Sequence, residues 1–261
     1  MLSKRIIACL DVRDGKVVKG VNFEGLRDAG DPAALARRYN TEGIDEVVIL
    51  DVTATIESRQ ARAHTIAAVA REIFLPLTVG GGIRTDEDAA AAIEAGADKV
   101  SLNTAALDNP ALITTLANRY GSQAVIVAID AKAIRLKADT TAAGPTRYEV
   151  YARSGQALTN RSAIEWAKQA TDMGAGEILL TSIDRDGTKS GFDCELTAAV
   201  SDAVNIPVIA SGGAGTFEHF AEVFTSGHAD AALAASIFHF NEKSVSALKQ
   251  FLKRSGVPVR I

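Results

Sequence analysis

Short β-branched runs alternate along this chain with longer Ala-rich amphipathic stretches, the order expected of a parallel sheet covered by helices. Eight runs read as strands: Ile6–Leu10, Glu46–Leu50, Leu77–Val79, Lys99–Leu102, Ala124–Ile129, Glu177–Leu180, Val208–Ala210 and Ala231–Ala234. Helix signals fall between them. Asp31-Pro32 and Asn109-Pro110 each put proline where a helix starts, and Thr85-Asp86-Glu87-Asp88 and Thr216-Phe217-Glu218 open two more. Gly43, Gly96, Gly174 and Gly227 are the expected C-terminal stops of four of these helices. Eight βα units in about 250 residues is the size of a (β/α)₈ barrel, an α/β fold. No Ser/Pro/Gly-rich linker divides the chain, so residues 1–261 read as one barrel domain.

An internal repeat supports this architecture. Gly43-Ile44-Asp45-Glu46 matches Gly174-Ala175-Gly176-Glu177, Pro76–Ile83 matches Pro207–Ala214, and Gly96-Ala97-Asp98 is echoed around Ala229-Asp230, at offsets of 131, 131 and 132 residues. Asp11 and Asp130 each end a strand and lie 119 apart, which fits extra length in the loop Ala131–Arg153 after the fifth strand. Two four-stranded halves closing on each other bury what neither could bury alone.

In such a barrel the active face lies past the C-terminal ends of the strands. Asp11 and Asp130 end opposed strands, and two carboxylates facing across a mouth suit paired acid/base work. The plainer reading, that each merely caps a turn, loses ground because the placement recurs in both halves. Asp51 is a third candidate, but strand parity turns it away from the lumen. Gly80-Gly81-Gly82 and Ser211-Gly212-Gly213 follow strands three and seven, while Asn103-Thr104 and Ala235-Ser236 follow strands four and eight. Glycine lets a backbone approach an anion, and hydroxyl or amide groups beside helix N-termini complete a phosphate cradle. Two cradles at matching offsets point to a ligand with a phosphate at each end. The stretch from Asp14 to Gly30, with Gly15, Gly20, Gly25, Gly30, Lys16 and Lys19, reads as a lid over an anionic substrate; a floppy surface loop is the alternative.

Side-chain alternation adds the lumenal lines. With Asp11 inward, so are Cys9, Ile7 and Arg5, and Arg5 then lies about 20 Å below Asp11 at ~3.3 Å per residue. The same parity gives Glu46–Val48–Leu50, Lys99–Ser101–Asn103, Ile126–Ala128–Asp130 and Glu177–Leu179–Thr181, which brings Thr181 to the substrate rim. Arg5, Glu46, Lys99 and Glu177 therefore cluster at the N-terminal end of the lumen, with the smaller Cys9, Thr78, Ser101 and Ala128 above them. A narrow bore is conceivable. From parity alone, a solvated ring that only adds stability is the preferred reading.

Composition narrows the class of partner. With 28 Lys+Arg against 32 Asp+Glu the chain is slightly acidic, at −4, and no basic run argues for nucleic acid. Its 47% hydrophobic content over 261 residues is enough for a core that needs neither metal nor disulfide. Cys9 and Cys194 lack zinc spacing and are too few for a disulfide framework, as in a reducing compartment. The apolar run Ile6–Leu10 is shorter than the roughly 7–15 residues of an export signal, and no 18-residue apolar run would span a membrane. A cytoplasmic location is expected.

Seven segments resemble the family of cyclase subunits of imidazole glycerol phosphate synthase, which work in histidine biosynthesis: Lys4–Pro32, Thr78–Arg84, Gly96–Ala106, Gly121–Lys132, Gly174–Asp193, Ala210–Gly215 and Ala232–Phe240. They run from end to end of the chain. The resemblance implies a lyase/cyclase that takes ammonia and the bis-phosphate N′-(5′-phosphoribulosyl)formimino aminoimidazole carboxamide ribonucleotide. Its products would be imidazole glycerol phosphate and aminoimidazole carboxamide ribonucleotide, with no cofactor. It implies Asp11 and Asp130 as the acid/base pair. One phosphate site would hold Gly82, Asn103 and Thr104, and the other Ser211, Gly213, Ala235 and Ser236, with Gly212 between them; Lys19 would be the lid lysine. Arg5, Glu46, Lys99 and Glu177 would be the gate through which ammonia enters from a glutamine amidotransferase subunit in a heterodimer, and Asp98 would face that partner. The length of Ala131–Arg153 departs from the family pattern. The sister isomerase barrel of the same pathway also uses opposed aspartates and two phosphate sites, but it has no use for an ammonia gate. A non-catalytic phosphate-binding barrel would have no need of both acids.

Overall fold

A computed structural model describes residues 2–21, 24–52, 59–135, 146–153, 155–239 and 244–261. Eight strands close a parallel barrel: β1 (Arg5–Arg13), β4 (Glu46–Asp51), β5 (Leu77–Gly80), β6 (Lys99–Leu102), β7 (Val125–Arg135), β10 (Glu177–Ser182), β11 (Val208–Ser211) and β12 (Ala231–Ala234). They pair in that order, and β12 returns to β1. All eight expected strands are present, several one to six residues longer at their C-terminal ends.

Parallel strands covered by helices are apolar on both faces, and the core has two layers accordingly. Ile6, Ala8 and Leu10 of β1 point outward into the large cluster under the helices. Ile7 and Cys9 join Val48, Ile126, Leu179, Ile209, Ala231 and Leu233 in a separate lumenal cluster, which bears out the side-chain parity. Thr78 and Ser101 are buried on the same side. The lumen holds more branched apolar side chains than the small groups alone implied.

The helices are α1 (Pro32–Glu42), α2 (Arg59–Ala70), α3 (Asp86–Glu94), α4 (Thr104–Asp108), α5 (Ala111–Tyr120), α6 (Ala163–Asp172), α7 (Cys194–Ser201), α8 (Phe217–Thr225), α9 (Ser236–His239) and α10 (Val245–Arg254). Asp31 caps α1 through the Ala34 N–H, Thr85 and Asp88 form a reciprocal capping box on α3, and Gly43 ends α1 in the left-handed region. Two expected signals act differently. Asn109 offers no side-chain cap; it ends α4, and its carbonyl accepts from Leu112 N–H as α5 follows directly. After α8 the left-handed residue is His228 (φ 56°), not Gly227.

Two antiparallel ribbons extend the barrel on opposite sides. β2 (Lys16–Val21) and β3 (Glu24–Gly30) continue from β1, and β8 (Thr146–Ala152) and β9 (Ala157–Ser162) continue from β7. The stretches expected to be a glycine-rich lid and a long 131–153 loop are therefore largely paired strand. Strand pairing satisfies backbone groups that an open loop would leave to water. Within those stretches, residues 22–23 and 136–145 lie outside the described part.

Candidate active site

The two carboxylates occupy equivalent junctions. Asp11 pairs in register with Leu50 of β4, and the next residue, Val12, hands β1 over to the β2 ribbon. Asp130 pairs with Thr181 on one side and with Tyr151 of the β8 ribbon on the other. Each lies at the C-terminal rim, and β1 and β7 are four strands apart in either direction round the barrel.

Their surroundings differ. Cys9 Sγ donates to Asp11 Oδ1 at 3.5 Å. Asn103 Nδ2 donates to Asp130 Oδ2 at 3.0 Å. Desolvation pushes the Asp130 carboxyl up to about 6; the Asn103 hydrogen bond opposes this, and the negative charge of Asp186 adds to it. A carboxyl tuned there exchanges a proton near neutral pH. Sequence reasoning gave Asp186 no role. The signal that could have found it is the Asp184/Asp186 pair in the Ser182–Gly191 segment on the same rim, where Asp184 also accepts from Ala133 N–H at 2.8 Å.

Both glycine turns have the expected backbone. Gly81 and Gly82 have φ of 81° and 70°, and Gly212 and Gly213 of 91° and 97°. A Cβ on Gly81 would fall 2.0 Å from Asp51 O, and one on Gly213 2.1 Å from Gly191 O. Gly191 N–H donates to Gly213 O at 2.8 Å, so the second turn is held by backbone. Asp51, off the lumen as expected, has its main chain packed close against Gly81. Thr104 Oγ1 accepts from Arg153 N–H at 3.0 Å, while Asn103 is drawn toward Asp130, its Oδ1 buried without a partner. Across the mouth, Ser211 ends β11 in register with Thr181, and Ala235-Ser236 leads into α9, with Ala235 O accepting from Phe238 and His239 N–H. The backbone of Lys19 pairs with Arg27 in the β2–β3 ribbon; its side chain lies outside the described residues.

At the opposite end the four lumenal charges form a closed ring. Arg5 reaches Glu46 (3.0 Å) and Glu177 (2.5 Å), and Lys99 reaches Glu46 (3.0 Å) and Glu177 (2.7 Å). Both carboxylates are buried, and Glu46 also accepts from Thr78 Oγ1 at 2.6 Å. Burial alone would raise Glu177, but hydrogen bonds and charge from Arg5 and Lys99 outweigh it and hold the carboxylate below its usual range. Each buried carboxylate thus meets both cations, which offsets the cost of taking it out of water.

Asp98 is exposed at this face but is not a bystander to the fold. Its Oδ2 accepts from Leu77 N–H at 2.8 Å. Asp45 does the same for Ile6 N–H (2.8 Å) and Asp230 for Val208 N–H (3.2 Å). Three aspartates, each just before a strand, thus satisfy a donor at the start of the neighbouring strand. Phe74, Leu2 and Ile261 are exposed large apolar side chains; the first two precede β5 and β1, and Val259 bridges to Lys4 beside them.

Among the described residues no group of three or more His, Cys, Asp or Glu is arranged to hold a metal ion, and no helix is long and apolar enough to cross a membrane. Comparison with known proteins agrees with this geometry. A family model described as histidine biosynthesis protein matches residues 5–244. The imidazole glycerol phosphate synthase subunit HisF of Alkaliphilus metalliredigens (strain QYMF) is 55% identical over 260 residues, covering 100% of both chains. The 131–153 stretch thus belongs to a chain of the relative's length rather than lengthening it. On its fold, its rim and these matches, the chain belongs to the histidine biosynthesis protein family.

Proposed function

We propose that this chain is the cyclase subunit of imidazole glycerol phosphate synthase, acting as one barrel domain. It joins ammonia to N′-(5′-phosphoribulosyl)formimino aminoimidazole carboxamide ribonucleotide and releases imidazole glycerol phosphate and aminoimidazole carboxamide ribonucleotide. The observation that carries the reading is the pair of rim acids, Asp11 and Asp130, set between two positive-φ glycine turns on opposite sides of one mouth. A substrate with a phosphate at each end spans the turns, and its reacting carbons lie between the acids. Gly82, Asn103 and Thr104 serve one phosphate, and Ser211, Gly212, Gly213, Ala235 and Ser236 the other; Thr181 lines the rim and Lys19 closes over the anion.

Ammonia in bulk water at neutral pH is mostly protonated and does not attack. The apolar lumenal layer of Ile7, Val48, Ile126, Leu179, Ile209 and Leu233 favours the neutral amine by desolvation. A glutamine amidotransferase subunit, bound as a heterodimer at the N-terminal face, delivers ammonia through the gate of Arg5, Glu46, Lys99 and Glu177. Asp98 and the exposed Phe74, Leu2 and Ile261 suit that face to a protein partner. At the rim, one acid assists amine addition and departure of the carboxamide half, while the other assists ring closure and dehydration. Asp130, raised to about 6, is suited to give a proton near neutrality. The reaction belongs to the cytoplasm. Incubating the purified chain with the bis-phosphate and an ammonium salt tests the reading: both products should form, and their absence refutes it.

A further inference from the structure

The two glycine turns are held in different ways. Gly213 is fixed by a backbone hydrogen bond from Gly191, whereas the Gly81–Gly82 turn leans on a side chain from a neighbouring helix. Arg62, near the start of α2, is 8% exposed and its Nη1 donates to Gly81 O at 2.9 Å. The same Nη1 stands 2.4 Å from where a Cβ on Gly82 would be, so the guanidinium fills the space a side chain would take. Its Nη2 lies 3.9 Å from Asp88 Oδ1. Through Oδ2, Asp88 accepts from Arg84 N–H (3.0 Å) and Thr85 N–H (3.2 Å) at the entry to α3.

Arg62 thus ties together two pieces of backbone that must stay in register if a phosphate is to be gripped: a flexible run of three glycines and the N-terminus of the helix behind it. We propose that Arg62 is a positioning residue for phosphate binding at the β5 side of the mouth, fixing the Gly81–Gly82 turn against α3 and putting a buried cation behind it. This rests on the reading of that rim as a phosphate site. Lysine could keep the charge and one donor but not the forked contact to Gly81 and Asp88 together.

The expected effect is on binding rather than chemistry. In ammonium-driven turnover, Arg62→Ala should raise KM for the bis-phosphate about tenfold, as loss of a charge-assisted hydrogen bond implies, with kcat within about twofold and Arg62→Lys in between. An unchanged KM in both variants, or a fall in kcat alone, overturns the proposal. If Arg62→Ala does not fold, Arg62→Lys is compared with the unsubstituted chain by the same KM criterion. Calorimetric titration with inorganic phosphate separates this inference from the functional reading. One weakened class of phosphate site in Arg62→Ala, without any turnover in the unsubstituted chain, would leave Arg62 standing and sink the cyclase reading. Normal turnover with unaltered phosphate affinity would do the reverse.

Discussion

Asp11 and Asp130 stand four strands apart whichever way the barrel is traversed, each where a parallel strand passes into an antiparallel ribbon. The internal repeat of the sequence thus has a structural counterpart at the mouth: one acid, one glycine turn and one ribbon per half. The halves are not electrically equivalent, because Asp130 has Asn103 bonded to it and Asp186 nearby, while Asp11 has the Cys9 thiol.

That asymmetry makes stability depend on pH. The Asp130 carboxyl is raised in the fold from an ordinary value near 3.8 to about 6. The neutral acid is therefore favoured in the folded chain; its contribution is complete below about pH 4 and is lost as pH rises through 6. Asp130→Asn, which removes the buried charge, should be more stable than the unsubstituted chain at pH 7, by about 1–3 kcal/mol. The gap should close by about pH 4. Thermal unfolding of both proteins across this range measures it, and a variant less stable at pH 7 would show that Asp130 is not strained.

Asp98 separates fold from docking. Because Leu77 N–H loses its acceptor, Asp98→Ala should cost about 1–2 kcal/mol of stability even without a partner. Asp98→Asn keeps an acceptor oxygen and should restore most of that stability while still weakening association with a glutaminase subunit. Equal stability of the alanine variant and the unsubstituted chain in denaturant titration would contradict the structural half of this prediction.

Glu46 accepts from Arg5, Lys99 and Thr78 at the lumenal entrance. Glu46→Ala should depress glutamine-driven turnover more than ammonium-driven turnover, since an exogenous amine can enter from the open rim. Parallel assays with the two nitrogen sources give the comparison. Equal losses would make the ring a stability device only.

Gly213 has φ of 97°, and a Cβ there would collide with Gly191 O. Gly213→Ala should lower stability by about 2–4 kcal/mol and raise KM for the bis-phosphate. Calorimetric unfolding and steady-state kinetics check the two effects, and a variant unaltered in both would remove the tight turn from the account.

Much of the fold was legible because its signals are local or periodic. Strand parity alone brought Arg5, Glu46, Lys99 and Glu177 to one end of the lumen, and Asp31 and Thr85 announced their helices. What escaped depends on partners distant in sequence. The β2–β3 ribbon is interrupted by glycines that weaken a strand pattern, and its pairing is visible only once β1 is in place. Asp45, Asp98 and Asp230 look like solvated acids until the neighbouring strand supplies a donor. Arg62 lies 19 residues before the carbonyl it holds, on a helix whose composition gives no hint of the turn above it. Asn103 read as a phosphate ligand, whereas its amide also reaches Asp130, a contact set by the register of β6 against β7.

The most direct measurement is ammonium-driven turnover of Asp11→Asn and Asp130→Asn, each exchanged singly in the otherwise intact chain. Removing a proton-transferring carboxyl should reduce kcat by at least about 100-fold in each, with unfolding still cooperative. Full activity in either variant would contradict the claim that protons move through both acids.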